Sequence, residues 1–177
     1  INLIPSEQTP SILVRLLTIM DPSHRYAEHR VVKALGEKDI FYYQGTKLIE
    51  EVEAFLSDEM RGFLGCSEVE ARVISGQMAN TAVFGGLLDY LNRLDRKSEP
   101  RRIRKVMNHH LGRGGHLSAQ PMGALRDFIA IDPLTERPSV VPFPVIKEDL
   151  YQIDLSKTDE LLEIHKPELI VLGKSMV

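Results

Sequence analysis

A small, glycine-containing turn is the first candidate for chemistry in this sequence. In the segment ISGQMAN, residues 74–80, Ser75 and Gly76 stand between a short apolar run and a long helical pattern. The first backbone N–H groups of a helix have no partner within it, and the helix dipole adds partial positive charge, so such a turn can hold a phosphate group. An ordinary strand-to-helix turn has the same composition, and it is the commoner explanation for an isolated Ser-Gly pair. Other parts of the chain must decide between these alternatives.

The surrounding pattern predicts alternating helices and strands. Apolar residues at helical spacing predict helices over residues 9–20, 46–65, 78–94 and 154–166, with Thr9 capping the first and Gly65 ending the second. Short apolar runs predict strands within residues 70–74, 103–109, 125–132, 139–145 and 168–173, the last of them fully buried. This alternation favours an α/β fold with helices on both faces of a mostly parallel sheet.

The predicted sheet also suggests where a ligand would bind. In open α/β sheets, ligands collect beyond the carboxyl ends of the strands. The Ser75-Gly76 turn, the region of His116 and residues 173–175 each follow a predicted strand. We therefore expect these segments to converge on one site.

Composition narrows the class of protein. The chain has 177 residues and a formal net charge of −3, which suits one domain with a sizeable core and gives no general attraction to nucleic acid or to an anionic membrane. The single Cys66 cannot form an internal disulfide and has no neighbouring ligands for a metal site. No apolar stretch approaches the roughly 20 residues of a bilayer-spanning helix. We expect a cytoplasmic protein without metal, membrane or nucleic-acid partners.

One dense basic segment, residues 93–105, needs a separate interpretation. Its sequence, RLDRKSEPRRIRK, contains acidic residues and a proline and lacks the aromatic residues on which nucleic-acid bases stack. We interpret it as a solvated connection between a helix and a strand. The chain also begins and stops within apparently structured sequence, so we expect it to be part of something longer.

A series of motifs, taken in order, resembles one enzyme family. These motifs are NLIPSE at 2–7, YAE at 26–28, YYQG and EEVE within 42–53, SGQMAN at 75–80, GGHL at 114–117 and HKPELIVLGKS at 165–175. Together they resemble the amino-terminal part of serine hydroxymethyltransferase, a fold-type I enzyme that uses pyridoxal 5'-phosphate. The resemblance implies an amino-terminal arm and helix at residues 1–45 that contact a dimer partner. It assigns residues 46–177 to the first, incomplete part of the cofactor-binding large domain.

The resemblance assigns the cofactor site residue by residue. Ser75 and Gly76 match the turn that cradles the phosphate in the family, and Gln77 replaces a serine hydroxyl that contacts it. His116 matches the histidine that stacks on the pyridine ring, a task that suits a flat imidazole with a hydrogen-bonding edge. Ser175 matches a serine near the ring hydroxyl of the cofactor. A histidine satisfied within the core and a serine in a plain loop are the structural alternatives.

The resemblance also implies the catalytic and partner-derived residues. Glu28 matches a glutamate beside the hydroxymethyl group of the substrate, which takes part in proton transfer and in the folate-dependent step. Cleavage of serine moves a proton from the β-hydroxyl group, which a positioned carboxyl group can accept. Tyr43 matches a tyrosine that reaches the site from the neighbouring subunit, so a homodimer or tetramer with shared sites is implied; Tyr26 is interpreted as packing. A surface glutamate is the structural alternative for Glu28.

Four further residues match substrate-binding positions. Ser6 matches a serine that helps to hold the substrate carboxylate, with a helix cap as the alternative. Leu111, Gly115 and Leu117 match positions that line the groove for tetrahydrofolate, the implied co-substrate, and a buried strand end would carry similar residues.

Departures from the family leave three functions open. The family's Schiff-base lysine belongs to sequence beyond position 177, and Lys174 does not match it, so the 177 residues alone are expected to be inactive. The first function is interconversion of serine and glycine with tetrahydrofolate. The altered segments after Glu28 and after His116 motivate a second, an aldolase or transaldolase acting on another β-hydroxy amino acid without folate. A non-catalytic half-enzyme scaffold is the third.

Overall fold

The computed structural model describes residues 7–32 and 38–174, so Ser6 and Ser175 lie outside the described residues. The chain divides into two compact units, of which the first extends to Arg72 and the second begins at Val73.

The first unit contains a short helix, a hairpin and a long helix. Helix α1 spans Ile12–Thr18, strands β1 (His29–Val32) and β2 (Lys38–Phe41) pair antiparallel, and helix α2 spans Lys47–Leu64. The predicted Thr9 cap of α1 is wrong, because Ser11 Oγ accepts a hydrogen bond from Val14 N at 3.2 Å and fixes the helix start there. The predicted end of α2 is confirmed, since Gly65 adopts a left-handed conformation with φ of 65°.

The apolar stripe of α2 is formed as predicted but remains exposed. None of its residues is buried, and the side chains with more than half of their surface exposed include Leu48, Val52, Phe55 and Phe63. Exposure of a continuous apolar helix face marks a surface suited to contact with another protein surface.

The second unit is built on a three-stranded parallel sheet. Strands β3 (Val106–Asn108), β4 (Val140–Pro142) and β5 (Leu169–Val171) lie in the order β4-β3-β5. Val106 lies beside both Val140 and Leu169 in the two parallel registers. Helix α3 spans Gly76–Leu94, and α4 spans Leu155–His165 with Asp154 as its cap.

Helices pack on both faces of this sheet, as predicted. Val106 and Phe84 of α3 share one buried cluster with Ile103, Leu125 and Ile129. Met107, next along β3, points to the other face, where Val141 and Phe143 pack against Leu161 and Leu162 of α4. The alternation of Val106 and Met107 follows from the two-residue period of a strand. The fold class is therefore an open α/β arrangement, consistent with part of a fold-type I large domain.

Three strand predictions require correction. Residues 125–132 form no continuous strand, because a 3₁₀ helix spans Ala124–Asp127 and only isolated bridges follow, at Ile129 and Ile131. Residues 70–74 form no strand within the described chain, and Arg72 instead donates backbone and side-chain hydrogen bonds to Glu70. Local hydrogen bonds of this kind satisfy the backbone without pairing to a neighbouring strand. Strand β5 forms, but it is not fully buried: Ile170 is 46% exposed, because β5 is an edge strand and no described helix covers it there.

An ion pair ties β5 to the basic segment. The Arg101 guanidinium contacts the Glu168 carboxylate through two nitrogens, at 2.9 and 2.8 Å, and Arg104 N donates to the same carboxylate at 2.7 Å. Glu168 N in turn donates to Lys105 O at 3.0 Å. Burial by itself would raise the pKa of Glu168, but the hydrogen bonds from Arg101 and Arg104 outweigh it and lower that pKa. One arginine of the basic segment therefore has a structural role.

Replacing this carboxylate should cost stability in a pH-dependent way. Glu168→Gln is expected to lower the free energy of unfolding at neutral pH by about 1–3 kcal/mol, because the two side chains are mostly shielded from water. A lowered pKa in the folded state means that the ionised carboxylate stabilises the fold above its ordinary pKa of 4.5, and that this contribution is lost as the pH falls below that value. Urea unfolding of the full-length protein across this range measures the effect.

Glu160→Gln, at an exposed position on α4, is the matched control and should change little. A difference between wild type and Glu168→Gln that stayed constant from neutral pH to pH values well below 4.5 would contradict an ionic role for Glu168.

Candidate active site

A shallow pocket of about 320 Å³ lies at the carboxyl end of the parallel sheet, within the second unit. Three segments form its walls: the start of α3, the 3₁₀ turn Leu117–Ala119 with the preceding residue His116, and the loop after β5. Its lining includes Gly76, Asn80, His116, Ser118, Gly173 and Lys174. The expected convergence of the Gly76 and His116 regions with the segment that follows β5 is therefore observed.

Ser75 and Gly76 begin helix α3 at the rim of this pocket. Ser75 caps the helix, because its Oγ accepts from Met78 N at 3.1 Å and its carbonyl oxygen accepts from Ala79 N at 3.0 Å. The helix starts two residues before the predicted Met78. A Cβ atom built on Gly76 would meet no atom within 4 Å, and Gly76 has no positive φ. The fold itself therefore does not require glycine at this position.

The ring of His116 is held by Ser118, whose hydroxyl group is in turn bound by Asn80. His116 Nδ1 lies 2.8 Å from Ser118 Oγ and accepts from Ser118 N at 3.3 Å, which caps the 3₁₀ turn. Asn80 Nδ2, from the second turn of α3, donates to Ser118 Oγ. The ring of His116 is exposed, whereas Ser118 is only 5% exposed. The imidazole thus has a fixed inner edge and a face open to a ligand.

The segment under His116 is fixed by buried amides. Asn108 Nδ2, at the end of β3, donates to Ala119 O at 2.7 Å, and Gln120 Nε2 donates to His109 O at 2.7 Å. Both side chains are buried, at 1% and 7% exposure. Buried amides with satisfied donors specify one backbone path, so the turn that carries His116 is rigid.

Gly115 sits where no other residue fits. A Cβ atom there would lie 2.3 Å from His109 O and 2.9 Å from His110 O, both backbone atoms. Its backbone forms an antiparallel bridge with Lys174. Gly115 therefore joins the segment carrying His116 to the loop after β5, and both segments line the pocket.

Lys174 lines the pocket, and its ammonium group is bound to Tyr151. Its Nζ donates to Tyr151 O and lies 5.9 Å from the centre of the Tyr151 ring. Burial, followed by the charge of Lys174, lowers the pKa of His109, whose ring packs 4.8 Å from that of Phe143. His109 is therefore a neutral core side chain near physiological pH.

Comparison with known proteins identifies the family of the chain. No protein-family model matches the chain. Serine hydroxymethyltransferases of Pyrobaculum calidifontis, Thermococcus kodakarensis and Korarchaeum cryptofilum are 32%, 31% and 30% identical to it, each over 99% of the chain. The chain belongs to the serine hydroxymethyltransferase family, as its amino-terminal portion. It spans about a third of the length of these relatives, 34%, 34% and 36% respectively.

Gln77, another residue predicted to bind the cofactor, lies outside the pocket lining. It is exposed on the first turn of α3, and its carbonyl oxygen accepts from Thr81 Oγ1 at 3.0 Å. Ser175 follows Lys174 directly but lies outside the described residues. Roles for these two residues stay predictions.

The residues predicted for the folate groove divide into two kinds. Leu111 and Leu117 are 39% and 53% exposed, and neither lines the pocket around Gly76 and His116. Gly115 is buried and has the packing role described above. A folate contact of these residues stays a prediction.

Glu28 and Tyr43 lie in the first unit. Tyr43 stacks on Tyr26 with ring centres 5.5 Å apart, and both line a pocket of about 480 Å³ together with the Asp21–Arg25 ion pair. Tyr26 is 71% exposed despite this stacking, so the packing role expected for it stays a prediction. Glu28 is exposed, and its carbonyl oxygen accepts from Tyr42 N at 3.0 Å. The first unit by itself therefore does not bury the carboxyl group that the family would use.

Sequence reasoning did not assign Asn80 or Ser118, although both line the pocket. Asn80 stands four residues after Gly76, so a helix starting at Gly76 places both on the same face. Among the described residues, no three or more His, Cys, Asp or Glu side chains are grouped so that they could hold a metal ion. Within the same residues, no helix is both long and apolar enough to cross a membrane.

Proposed function

We propose that the full-length protein is a pyridoxal-phosphate-dependent transferase that interconverts serine and glycine with tetrahydrofolate as the one-carbon carrier. The observation that carries this proposal is that the start of α3 at Gly76 and the ring of His116 line the same pocket. These are the positions that match the phosphate-binding turn and the ring-stacking histidine of the family. The named relatives support the same function through their sequence similarity.

The side chains around the pocket fit the cofactor. Backbone N–H groups at the start of α3 would bind its phosphate, and the open space at Gly76 would let the phosphate approach the backbone closely. His116 would cover the ring, with Ser175 and Gln77 as additional contacts. Pyridoxal phosphate, when bound, supplies the electron sink for the carbanion chemistry. The described residues contribute binding and orientation.

The substrate end of the site is proposed to require a second copy of the protein. Tyr43, on the exposed side of the first unit, would reach the pocket of the partner, with residues 1–45 forming the contacting arm. The exposed apolar side chains of α1 and α2, among them Ile12 at 77% and Phe63 at 83%, provide surface that a homodimer or tetramer would cover. Ser6 would hold the substrate carboxylate, and Leu111, Gly115 and Leu117 would line the folate groove.

Glu28 is proposed to handle the proton of the substrate hydroxyl group. Glu28→Gln in the full-length protein is expected to lower the rate of serine cleavage and of folate-dependent transfer by about 10²–10⁴-fold, the usual contribution of a general acid or base. Because Glu28 is exposed and the glutamine is nearly isosteric, folding and cofactor binding should not change.

The measurement is a serine–glycine assay together with a titration of the protein with pyridoxal phosphate, followed by absorbance. Glu148→Gln, at another exposed position, is the matched control. Unaltered rates for Glu28→Gln would exclude the role of Glu28, whereas absence of cofactor binding by wild-type protein would overturn the proposed function and favour a non-catalytic scaffold.

A second candidate is favoured by the presence of Lys174 in the pocket lining. Lys174 lines the pocket at a position where the family has a small or aromatic residue, so the substrate end can differ from that of the family. A pyridoxal-phosphate aldolase or transaldolase acting on another β-hydroxy amino acid would fit this change. Activity that is indifferent to added tetrahydrofolate would favour this candidate.

A further inference from the structure

The polar chain from Asn80 through Ser118 to His116 crosses the candidate site from helix α3 to the turn after His116. Asn80 Nδ2 donates to Ser118 Oγ, and Ser118 Oγ lies 2.8 Å from His116 Nδ1. Ser118 is 5% exposed, so its hydroxyl group is shielded from water and depends on these partners. The residues 80 and 118 therefore connect two walls of the pocket through one hydroxyl group.

The donors in this chain have a defined direction. An amide nitrogen only donates, so the hydroxyl oxygen of Ser118 accepts from Asn80. The backbone N–H of Ser118 donates to His116 Nδ1 at 3.3 Å, which makes this ring nitrogen an acceptor, so the Ser118 hydroxyl group, 2.8 Å away, directs its proton to it as well. A neutral imidazole carries one protonated and one unprotonated nitrogen. With donors aimed at Nδ1, the ring proton must reside on Nε2.

We propose that Ser118 and Asn80 are positioning residues that hold neutral His116 in the tautomer with its proton on Nε2. This inference rests on the proposed function, in which the ring of His116 covers the cofactor. Fixing Nδ1 on the protein side holds the ring plane and leaves Nε2–H as the donor on the opposite edge. A histidine that lost these contacts would rotate about its side-chain torsions and sample both tautomers.

The test uses full-length protein labelled with ¹³C and ¹⁵N in histidine, without cofactor, at a pH at which histidine is neutral. Chemical shifts of ring carbons and nitrogens distinguish the two tautomers, and His116→Gln identifies the signal. We expect a single tautomer protonated on Nε2 in wild-type protein and in Ser118→Thr, which keeps the hydroxyl group. Ser118→Ala should give a mixture of tautomers.

Asn80→Asp is a second variant of nearly the same shape with reversed polarity. A carboxylate accepts from Ser118, which turns the hydroxyl proton away from His116 and should raise the population protonated on Nδ1. A wild-type ring protonated on Nδ1 would overturn the proposal. A signal unchanged in both Ser118→Ala and Asn80→Asp would overturn it as well, and Asn80→Asp serves alone if Ser118→Ala does not fold.

Cofactor affinity gives an independent second readout. Ser118→Ala is expected to weaken pyridoxal phosphate binding by about five- to tenfold, the equivalent of one hydrogen bond, and Ser118→Thr should restore it. Because the tautomer is measured without cofactor, a failure of the positioning proposal is distinguishable from a failure of the proposed function. If wild-type protein shows the Nε2 tautomer but binds no cofactor, the positioning role stands and the proposed function is wrong.

Discussion

Gly115→Ala is expected to destabilise the second unit by about 1–3 kcal/mol or more, the range typical of overpacking. The added Cβ would lie 2.3 Å from His109 O, 2.8 Å from His109 C and 2.9 Å from His110 O. These are backbone atoms, so relief requires movement of the main chain rather than rotation of a side chain. Gly115 N also donates to His110 O at 3.1 Å, so movement would disturb this hydrogen bond.

The consequence would extend to the pocket. Gly115 pairs with Lys174, so displacement of residue 115 separates the segment carrying His116 from the loop after β5. Urea unfolding of the full-length protein measures the loss of stability. Gly86→Ala is the matched control: it lies within α3, a Cβ there meets nothing within 4 Å, and it should stabilise the helix by up to about 1 kcal/mol. Equal stability of the two variants would contradict the packing role of Gly115.

Substitution of Gly76 is expected to weaken binding of pyridoxal phosphate without lowering the stability of the protein. Gly76→Ala is expected to leave the free energy of unfolding of the cofactor-free protein unchanged or slightly higher, because a Cβ at this position meets open space. The same Cβ would occupy space that a bound phosphate needs near the first backbone N–H groups of α3. Loss of one such charge-assisted hydrogen bond should weaken pyridoxal phosphate binding by about 10–100-fold.

Titration with pyridoxal phosphate measures the cofactor affinity, and thermal unfolding without the cofactor measures the stability of the protein. Gly86→Ala again serves as control, since it makes the same substitution on the same helix away from the pocket. Unweakened cofactor binding by Gly76→Ala would exclude close approach of the phosphate at Gly76. The two predictions therefore distinguish Gly115, which the fold requires, from Gly76, which only a bound ligand would require.

Much of the second unit could be predicted from local sequence. Helix α4 has its Asp154 cap, and β3 and β5 are short apolar runs. The expected convergence of the Gly76 and His116 regions is observed, although the strand predicted before Gly76 does not form. These features depend on periodicity, capping and sheet geometry, which are local or general. The prediction at residues 70–74 was wrong because an apolar run becomes a strand only where a partner strand runs beside it.

The fine structure of the candidate site could not be obtained in this way. Asn80 and Ser118 are separated by 38 residues, and their hydrogen bond depends on how α3 packs above the turn. Gly115 stood out in the sequence as part of a family motif, but its contact with the carbonyl groups of His109 and His110 is a property of the folded backbone.

The ion pair between Arg101 and Glu168 bears on the order in which the chain folds. These residues are 67 positions apart, so the contact forms only after a long loop has closed, and non-local contacts of this kind slow folding. Glu168 directly precedes strand β5, and Lys174, which lines the pocket, follows the strand by three residues. During refolding, helix formation should therefore precede docking of β5, and the capacity to bind a ligand should appear as a later kinetic phase than helical circular dichroism.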